Sequence, residues 1–435
     1  MDSLRAKVAK WPYGLVSVLA AIAAFGTYTS MYSFRKGFAA GTFAGEQYFH
    51  IDYKVWLVIA QVVGYTLSKF YGIKFIAELK PNQRAKSIFL LIGIAWAALL
   101  LFAIVPAPYN IACMFINGFP LGMIWGLVFS YLEGRKTTEF MAAVLSISLI
   151  FASGFVKTIA RGLMGSLHIS EYVMPFATGA LFVVPLVFLV FCLELMPPPT
   201  AEDIQLRTKR APMNAEERAA FLKRFLPGII LTLVIYVLLT IMRDVRDNFE
   251  VEIWASLGNK DNTIYAKIDS IISVIVLVAI SLLILVKKNL KAFRLIHLMI
   301  ICGCVLIAVG TVLFEMNIIN PMTWMTMAGL GLYLGYVPYN AIFFERMIAS
   351  FHYRSNVGFL IYVSDSIGYL GSVTILLVKE LGRPSISWAV FFKEGVLVVG
   401  IVGGVCAVLS LIYFMQSARR SNNSEVQNEL NIQPA

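Results

Sequence analysis

The chain has 435 residues, of which 59% are hydrophobic, and its mean hydropathy is +0.77. Its apolar runs approach the roughly 20 residues that cross a bilayer as a helix, so the composition excludes a soluble globular protein and predicts a polytopic membrane protein. The net charge of +11 would suit nucleic-acid binding, but the basic residues cluster between the apolar runs, where they are a topology signal.

Taken in chain order, the apolar runs predict twelve transmembrane helices, numbered here as spans 1 to 12. They are placed at residues 12–40, 54–76, 85–106, 109–132, 139–164, 174–196, 226–250, 264–286, 295–315, 321–346, 356–378 and 388–415. The start MDSLRAKVAKW, followed by an apolar run, is similar to a signal peptide. Its cleavage would remove span 1, so we expect the segment to be retained.

Lysine and arginine are distributed unevenly between the loops on the two sides of these spans. One set of loops, together with both ends of the chain, carries 22 of them, whereas the opposite loops carry only Lys260, Lys379 and Arg383. Because positively charged loops remain in the cytoplasm, both termini are predicted to be cytoplasmic. We therefore expect a multi-pass protein of the cell inner membrane.

The polar stretch PPPTAEDIQLRTKRAPMNAEERAAFLKRF separates the spans into two sets of six. We predict an N-terminal half at 1–196, a cytoplasmic linker at 197–225, a C-terminal half at 226–415 and a cytoplasmic tail at 416–435. Span 5 reads LIFASG where span 11 reads LIYVSD, and spans 1 and 7 each carry an arginine late in the run. Two pseudo-symmetric six-helix halves indicate an all-α membrane protein with the major facilitator fold.

Arg35 ends the apolar run of span 1, in SMYSFRKGFAAG, and Arg243 lies late in span 7, in TIMRDVRDNF. An arginine at the bilayer centre costs roughly 2.5 to 3.5 kcal/mol on insertion scales, so each must face a cavity, a partner or a ligand. On corresponding spans the two side chains can converge on one central cavity. Two planar guanidinium groups suit a tetrahedral dianion, so the sequence predicts an anionic ligand.

Two lysines within predicted spans are further candidates for ligand contact. Lys69 lies in GYTLSKFYG on span 2, and Lys157 lies in SGFVKTIARG on span 5. Lys157 and Arg161 are one helical turn apart and share a face with Ser153. An alternative for Arg161 is a position near the membrane boundary, where its side chain would reach water.

For three other basic residues, a purely structural role is an alternative to ligand contact. Lys36 and Lys74 are able to snorkel toward the interface, and for Lys74 this is the preferred interpretation. Arg246 has Asp244 and Asp247 nearby, so a structural ion pair is as well supported as ligand contact.

Enzyme chemistry and metal binding have no support in the sequence. The five cysteines lie in predicted spans, where packing is the expected role, and the four histidines lack metal-ligand spacing. A nucleophile elbow, a phosphate loop and an HExxH motif are missing. We therefore expect a protein that is not an enzyme, with no catalytic residue, no metal and no cofactor.

At these positions the sequence resembles the organophosphate:phosphate antiporters of the major facilitator superfamily, which include glycerol-3-phosphate and hexose-phosphate transporters. YSFRKGF is similar to the family's aromatic-x-x-Arg-Lys-x-Phe, which assigns a phosphate-binding arginine to Arg35. GYTLSKF is similar to Gly-Tyr-x-x-Ser-Lys-Phe, which assigns the pathway lysine to Lys69 and a site tyrosine to Tyr65. IYVLLTIMRD resembles the stretch with the second phosphate arginine, which falls on Arg243.

Aromatic residues extend the resemblance. Tyr28 and Tyr32 match the family's cavity tyrosines, GMIWG on span 4 assigns a cavity tryptophan to Trp125, and YLGYVPYN on span 10 assigns a tyrosine to Tyr336. The resemblance implies that these rings line the cavity and contact the organic portion of the ligand. Packing between helices is the alternative for each of them.

The chain departs from the family in two places. Where the glycerol-phosphate branch carries a histidine on span 5, this chain has Ser153 with Lys157 one turn later, which argues against glycerol-3-phosphate as the substrate. The loop GIKFIAELKPNQR lacks the superfamily's Gly-x-x-x-Asp-Arg pattern, and Glu78 and Lys80 are candidate replacements.

Acidic residues within the predicted spans are assigned to charge balance or coupling. Asp365 on span 11 is able to neutralise Lys157 across the cavity, to select a cationic substrate group or to carry a proton, and the first alternative is preferred. Asp269 on span 8 and Asp247 on span 7 are assigned to the same role, together with the basic residue Arg246.

The repulsion between two arginines predicts the transport mechanism. An anion that bridges Arg35 and Arg243 would stabilise the closed state, so reorientation would require a ligand. The sequence predicts a secondary active transporter of an organic phosphate or related phosphorylated anion, in exchange for inorganic phosphate, by rocking of the two halves. A transporter-like organophosphate sensor and a proton-coupled symporter of a carboxylate or phosphonate are the alternatives. We expect a monomer in the lipid bilayer, with a small anionic partner and no nucleic acid.

Overall fold

The protein is almost entirely helical in the computed structural model, which describes residues 2–200, 202–203, 215–259, 261–351 and 357–432. The helices are α1 (Asp2–Val8), α2 (Tyr13–Lys36), α3 (Tyr53–Glu78), α4 (Arg84–Ile104), α5 (Ile111–Leu121), α6 (Ile124–Phe129), α7 (Thr138–Leu167), α8 (Met174–Glu194), α9 (Ala215–Ser256), α10 (Ile264–Ile284), α11 (Asn289–Glu315), α12 (Pro321–Pro338), α13 (Phe344–Ser350), α14 (Val357–Gly382), α15 (Trp388–Val398) and α16 (Gly404–Ile432).

Shorter elements join these helices. A 3-10 segment at Gly37–Ala40 follows α2, and another at Pro81–Gln83 precedes α4. A π-helical segment at Tyr339–Phe343 joins α12 to α13, and a second at Val399–Gly403 joins α15 to α16. The loop before α3 holds an antiparallel hairpin of β1 (Gln47–Tyr48) and β2 (Ile51–Asp52), with Tyr48 opposite Ile51.

Nine helical stretches of the described chain are long and apolar enough to cross a membrane. They are Tyr13–Ala40, Pro81–Ile104, Ile111–Phe129, Thr138–Leu167, Met174–Glu194, Lys223–Ser256, Ile264–Ile284, Asn289–Glu315 and Trp388–Arg420, which match predicted spans 1, 3 to 9 and 12. Predicted spans 2, 10 and 11 are also helical, as α3, α12 with α13, and α14. The multi-pass prediction is confirmed, while the total of twelve spans and the cytoplasmic termini stay predictions.

Predicted span 4 is interrupted, because α5 ends at Leu121 and α6 begins at Ile124. Gly122 lies at this break, directly against α3. A Cβ at Gly122 would lie 1.8 Å from the Ser68 hydroxyl oxygen and 2.7 Å from the Tyr65 carbonyl oxygen, so no larger residue fits without displacing α3. This close approach fixes the stretch of α3 that carries Tyr65 and Lys69.

The middle of α9 is buried despite its charge. Every residue from Met242 to Glu250 is buried, although this stretch reads MRDVRDNFE. Phe249 departs from helical geometry, with φ −117° and ψ 19°, and marks a kink. Because buried charges persist only when they are paired or face a ligand, this segment of α9 organises the ionic contacts described below.

Residues 201 and 204–214 of the predicted linker lie outside the described residues. Of the remainder, Asp203 accepts hydrogen bonds from the Tyr13 hydroxyl at 2.8 Å and from the Lys136 backbone N–H at 2.9 Å. Burial acts to raise the pKa of Asp203, but hydrogen bonds from the Lys136 and Thr200 backbone and from Tyr13 lower this pKa to about 2. The carboxylate is therefore ionised at neutral pH and ties the linker to α2 and to the loop before α7.

Candidate functional site

A cavity of about 270 Å³ lies among helices from both predicted halves. Its lining includes nine of the residues that the sequence singled out: Tyr28, Tyr32, Arg35, Tyr65, Lys69, Trp125, Arg243, Tyr336 and Asp365. It also includes side chains that the sequence did not single out, among them Ser146, Tyr339, Asn340 and Tyr369. The structure thus brings together singled-out residues from six predicted spans, namely 1, 2, 4, 7, 10 and 11.

Arg35 lies at the C-terminal end of α2 and is only 5% exposed. Gln61 donates a hydrogen bond to the Arg35 carbonyl oxygen at 2.7 Å, and Asn117 donates one to the Phe34 carbonyl oxygen at 2.9 Å. These contacts satisfy carbonyl groups at the end of α2 and hold the arginine in place. In the described chain no carboxylate pairs with Arg35, and its Nε atom has no hydrogen-bond partner.

The guanidinium group of Arg35 is supported by aromatic rings. Its central carbon lies 3.8 Å from the centroid of the Tyr65 ring and 5.7 Å from that of the Tyr32 ring. Cation–π contact stabilises the charge and leaves the N–H groups at the edge of the guanidinium plane. The edge is therefore the part of Arg35 that is available to a ligand.

Arg243 on α9 has a similar arrangement. It is 6% exposed, and its guanidinium carbon lies 4.2 Å from the centroid of the Tyr336 ring. The guanidinium also donates to Asp244 at 2.6 Å, and the other Asp244 oxygen accepts from Ser372 at 2.8 Å. Because its Nε atom has no partner, Arg243 keeps donor capacity beyond the Asp244 pair.

Lys69 is paired with Asp365 at 2.9 Å, and the Tyr236 hydroxyl donates to the second Asp365 oxygen. The preferred prediction that Asp365 neutralises Lys157 is therefore wrong. The reason is helix packing, because α14 packs against α3, which carries Lys69, whereas Lys157 on α7 faces α9. In the cavity, Asp365 neutralises one of the three cations.

The structure places Lys157 in a separate, fully buried ionic cluster and not in the cavity lining. Its ammonium group donates to Glu250 at 2.7 Å and to Ser153 at 2.8 Å, and lies 3.7 Å from Asp247. Sequence reasoning missed Glu250. Its spacing gave a signal, because Glu250 lies four residues after Arg246, one turn along the same face of α9.

Lys36 and Arg246 complete this cluster. Lys36 is 2% exposed and lies 2.9 Å from Asp247, so it pairs with an acid instead of snorkelling. Arg246 pairs with Asp269 at 2.7 Å and with Glu250 at 3.3 Å. Its partners are therefore other acids than Asp244 and Asp247, the two suggested by nearness in sequence.

The two remaining bases lie away from the cavity. The Lys74 side chain is 81% exposed and lies 3.9 Å from Glu78, and its snorkelling stays a prediction. Arg161 is partly buried and donates to Asn262 at 3.1 Å. Neither residue contributes to the lining.

The cavity extends toward the side of the basic loops. Its lining continues from the arginines to Glu133, Glu139 and Glu345, at the ends of α6, α7 and α13 next to those loops. On the opposite side, the ion pair of Lys54 with Glu252 joins α3 to α9. The cavity lining therefore reaches toward the basic loops.

The charges of the lining differ between the deep end of the cavity, at the arginines, and its mouth toward the basic loops. Among the residues described at the deep end, Lys69 is paired with Asp365 and Arg243 with Asp244, so Arg35 supplies an unpaired positive charge that suits an anion. Acidic residues lie at the mouth, where Glu139 pairs with Arg346 at 2.9 Å across the two sets of helices. Among the described residues, no group of three or more His, Cys, Asp or Glu side chains could hold a metal ion.

The Lys69–Asp365 pair gives a first testable expectation. Asp365→Asn frees the Lys69 ammonium, so an anion bound at the deep end gains a cation and its affinity rises about fivefold or more. Lys69→Ala lowers the affinity by a similar factor. Titration of the purified variants with inorganic phosphate measures both changes. A complete loss of phosphate binding in Asp365→Asn would contradict this arrangement.

Comparisons with known proteins give a family and a fold. The model of a family described as being of unknown function, DUF5690, matches residues 37–417. Among solved structures, that of a D-xylose-proton symporter superposes with a TM-score of 0.60 over 93% of this chain and 97% of the symporter chain, at 11% identity. This likeness confirms the major facilitator fold. A sequence comparison with curated proteins found no match.

Proposed function

The chain belongs to the DUF5690 family, whose function is unknown, and we propose that it is a secondary active transporter of a phosphorylated organic anion, working by alternating access in exchange for inorganic phosphate. The observation that carries the proposal is the pair of buried arginines, Arg35 and Arg243, in one cavity shared by two sets of helices. The fold supports transport, since it is also the fold of a D-xylose-proton symporter.

The anionic character of the substrate follows from the unused donors. Arg35 has no carboxylate partner in the described chain, and both arginines keep an Nε–H without an acceptor. A buried guanidinium with unsatisfied donors is costly, and a phosphate group offers several oxygens in a geometry that matches the guanidinium fork. A phosphorylated ligand at this position satisfies both arginines at once.

Exchange follows from the charge balance of the cavity. With no ligand, both arginines lie in one cavity with an Nε–H that has no acceptor among the described residues, which disfavours a tightly closed cavity. A bridging anion lowers the energy of the closed state more than that of the open states, and only such differential binding shifts a conformational equilibrium. Reorientation then requires a bound anion in each direction, which is the condition for obligatory exchange.

Proton-coupled symport is the second candidate. Asp365 is 4% exposed, pairs with Lys69 and accepts from Tyr236, so its protonation would release Lys69. A buried carboxylate exchanging between a proton and a lysine is a plausible coupling device in a membrane. This candidate and exchange differ in what drives net uptake.

Uptake of radiolabelled inorganic phosphate into proteoliposomes tests the proposal. Vesicles preloaded with phosphate are compared with vesicles holding buffer alone, each with and without an imposed pH gradient. Exchange predicts uptake only into phosphate-loaded vesicles, and unlabelled organic phosphates compete for it. Uptake that needs no internal phosphate and follows the pH gradient would replace exchange by symport. Phosphate binding without movement under any condition would favour a sensor.

A further inference from the structure

Among the described residues of the cavity lining, two uncharged side chains have hydrogen-bonding atoms without a partner. We infer that Ser146 and Asn340 form a neutral subsite that recognises hydroxyl groups on the organic portion of the substrate. The inference rests on the proposed function, because it describes the other end of a ligand whose anionic group lies at Arg35 and Arg243. It makes the two residues determinants of specificity among phosphorylated compounds.

Ser146 on α7 is 1% exposed and lines the cavity, yet its hydroxyl has no hydrogen-bond partner. Serine hydroxyls in helices commonly bond a backbone carbonyl three or four residues earlier. Ser148, two residues further along α7, does so by donating to the Leu145 carbonyl oxygen at 2.5 Å and does not line the cavity. Ser146 therefore retains a buried donor and acceptor on the cavity wall.

Asn340 also lines the cavity, in the π-helical segment Tyr339–Phe343. Its amide nitrogen is buried and has no hydrogen-bond partner. A π-helical turn widens the helix locally and is frequent at functional sites. Because α7 packs against this segment, Ser146 and Asn340 line the cavity from neighbouring elements.

The subsite and the cationic end recognise different chemistry. The hydroxyl and amide groups are uncharged donors and acceptors, which match alcohol groups and contribute little to an anion's charge. The nearby Trp125 ring supplies a flat apolar wall. A ligand with a hydrocarbon in place of a hydroxylated group would leave both polar atoms buried and unsatisfied, and the site discriminates against it for that reason.

Competition with radiolabelled phosphate for binding to the purified protein tests the inference. The competitors are glucose 6-phosphate and cyclohexylmethyl phosphate, which have the same ring size but differ in ring hydroxyls. The wild-type protein is expected to prefer glucose 6-phosphate by about tenfold, and Ser146→Ala and Asn340→Leu are each expected to reduce this preference about three- to tenfold. Affinity for inorganic phosphate is expected to change less than twofold in these variants.

Matched variants separate recognition from a general loss of packing. Ser148→Ala removes a hydroxyl from the same helix and is expected to leave the preference for glucose 6-phosphate unchanged. Ser146→Thr keeps the hydroxyl at position 146 and is expected to keep the wild-type preference. The subsite is refuted, while the proposed function stands, if the wild type binds phosphate but shows no preference for glucose 6-phosphate. It is also refuted if the preference persists in both Ser146→Ala and Asn340→Leu. If the wild type binds no phosphate, the proposed function fails, and the inference fails with it.

Discussion

Arg35→Ala and Arg243→Ala are each expected to weaken the binding of inorganic phosphate by about 100-fold. A hydrogen bond to a charged group contributes roughly 1.5 to 3 kcal/mol, and a guanidinium fork makes two of them, so a loss of about 3 kcal/mol is expected. Arg35→Lys and Arg243→Lys keep the charge but lose the planar fork, and are expected to lie between wild type and alanine. Isothermal titration of the purified proteins measures these affinities.

Arg383→Ala provides the matched control for these substitutions. Arg383 pairs with Glu394 at 3.1 Å, and its side chain is 63% exposed, far from the cavity lining. Its loss changes the net charge by the same amount and is expected to leave phosphate affinity within about twofold. If only one of the two cavity arginines affects affinity, the anion is not shared between Arg35 and Arg243. An equal loss in Arg383→Ala would assign the effect to overall charge.

Arg246→Met is expected to produce the largest loss of stability, by roughly 3 to 5 kcal/mol. This arginine is fully buried and pairs with Asp269 and Glu250, so its removal leaves Asp269 as a buried carboxylate without a cation. Thermal unfolding of the detergent-solubilised variant measures the loss as a lower melting temperature. Phosphate affinity is expected to change little, because the cluster lies outside the cavity lining.

A double variant distinguishes an ionic role from simple packing. Arg246→Met combined with Asp269→Leu removes both charges, while Glu250 keeps its pair with Lys157 at 2.7 Å. The double variant is therefore expected to recover much of the lost stability, since well-packed apolar residues often replace a buried ion pair without loss. If the double variant is less stable than Arg246→Met alone, the two side chains do not act as a compensating pair.

The fold could be predicted from the sequence because it depends on hydropathy and on the repetition of six spans in two halves. Long apolar runs and a polar break near residue 200 sufficed to predict an all-helical major facilitator fold, which the likeness to a solved transporter confirms. The interruption of span 4 was missed, because transmembrane helices often continue through a proline such as Pro120 or a glycine such as Gly122 unless neighbouring packing requires a break. Here the requirement comes from α3, whose Ser68 and Tyr65 leave no room for a Cβ.

Most of the cavity residues could also be predicted from the sequence, because each is unusual within its own span. A charge such as Arg35, Lys69 or Arg243 in an apolar run must face a cavity or a partner, and a cavity lined by all three is what the structure contains. Their role in ligand binding stays a prediction. Ser146 and Asn340 carried no such signal, because a serine or asparagine within a helix is usually satisfied locally or packed.

The partners in the ion pairs could not be predicted from the sequence. Asp365 is paired with Lys69, almost 300 residues away, and Lys157 with Glu250, because α3 meets α14 and α7 meets α9 in space. Nearness along the chain suggested other partners for Arg246, and a shared cavity suggested Lys157 as the partner of Asp365. Which charges pair in a membrane protein depends on which helix faces pack together. A single sequence shows the charged face of each helix but does not show which other helix packs against it.

A crystal structure of the protein with bound inorganic phosphate tests most directly whether one anion is shared by the two arginines. We expect density for one phosphate between them, with the phosphorus atom about 4 Å from the guanidinium groups of both Arg35 and Arg243, as a bidentate contact requires. Phosphate bound to only one of them, or elsewhere in the chain while both arginines keep their present contacts, would contradict a shared site.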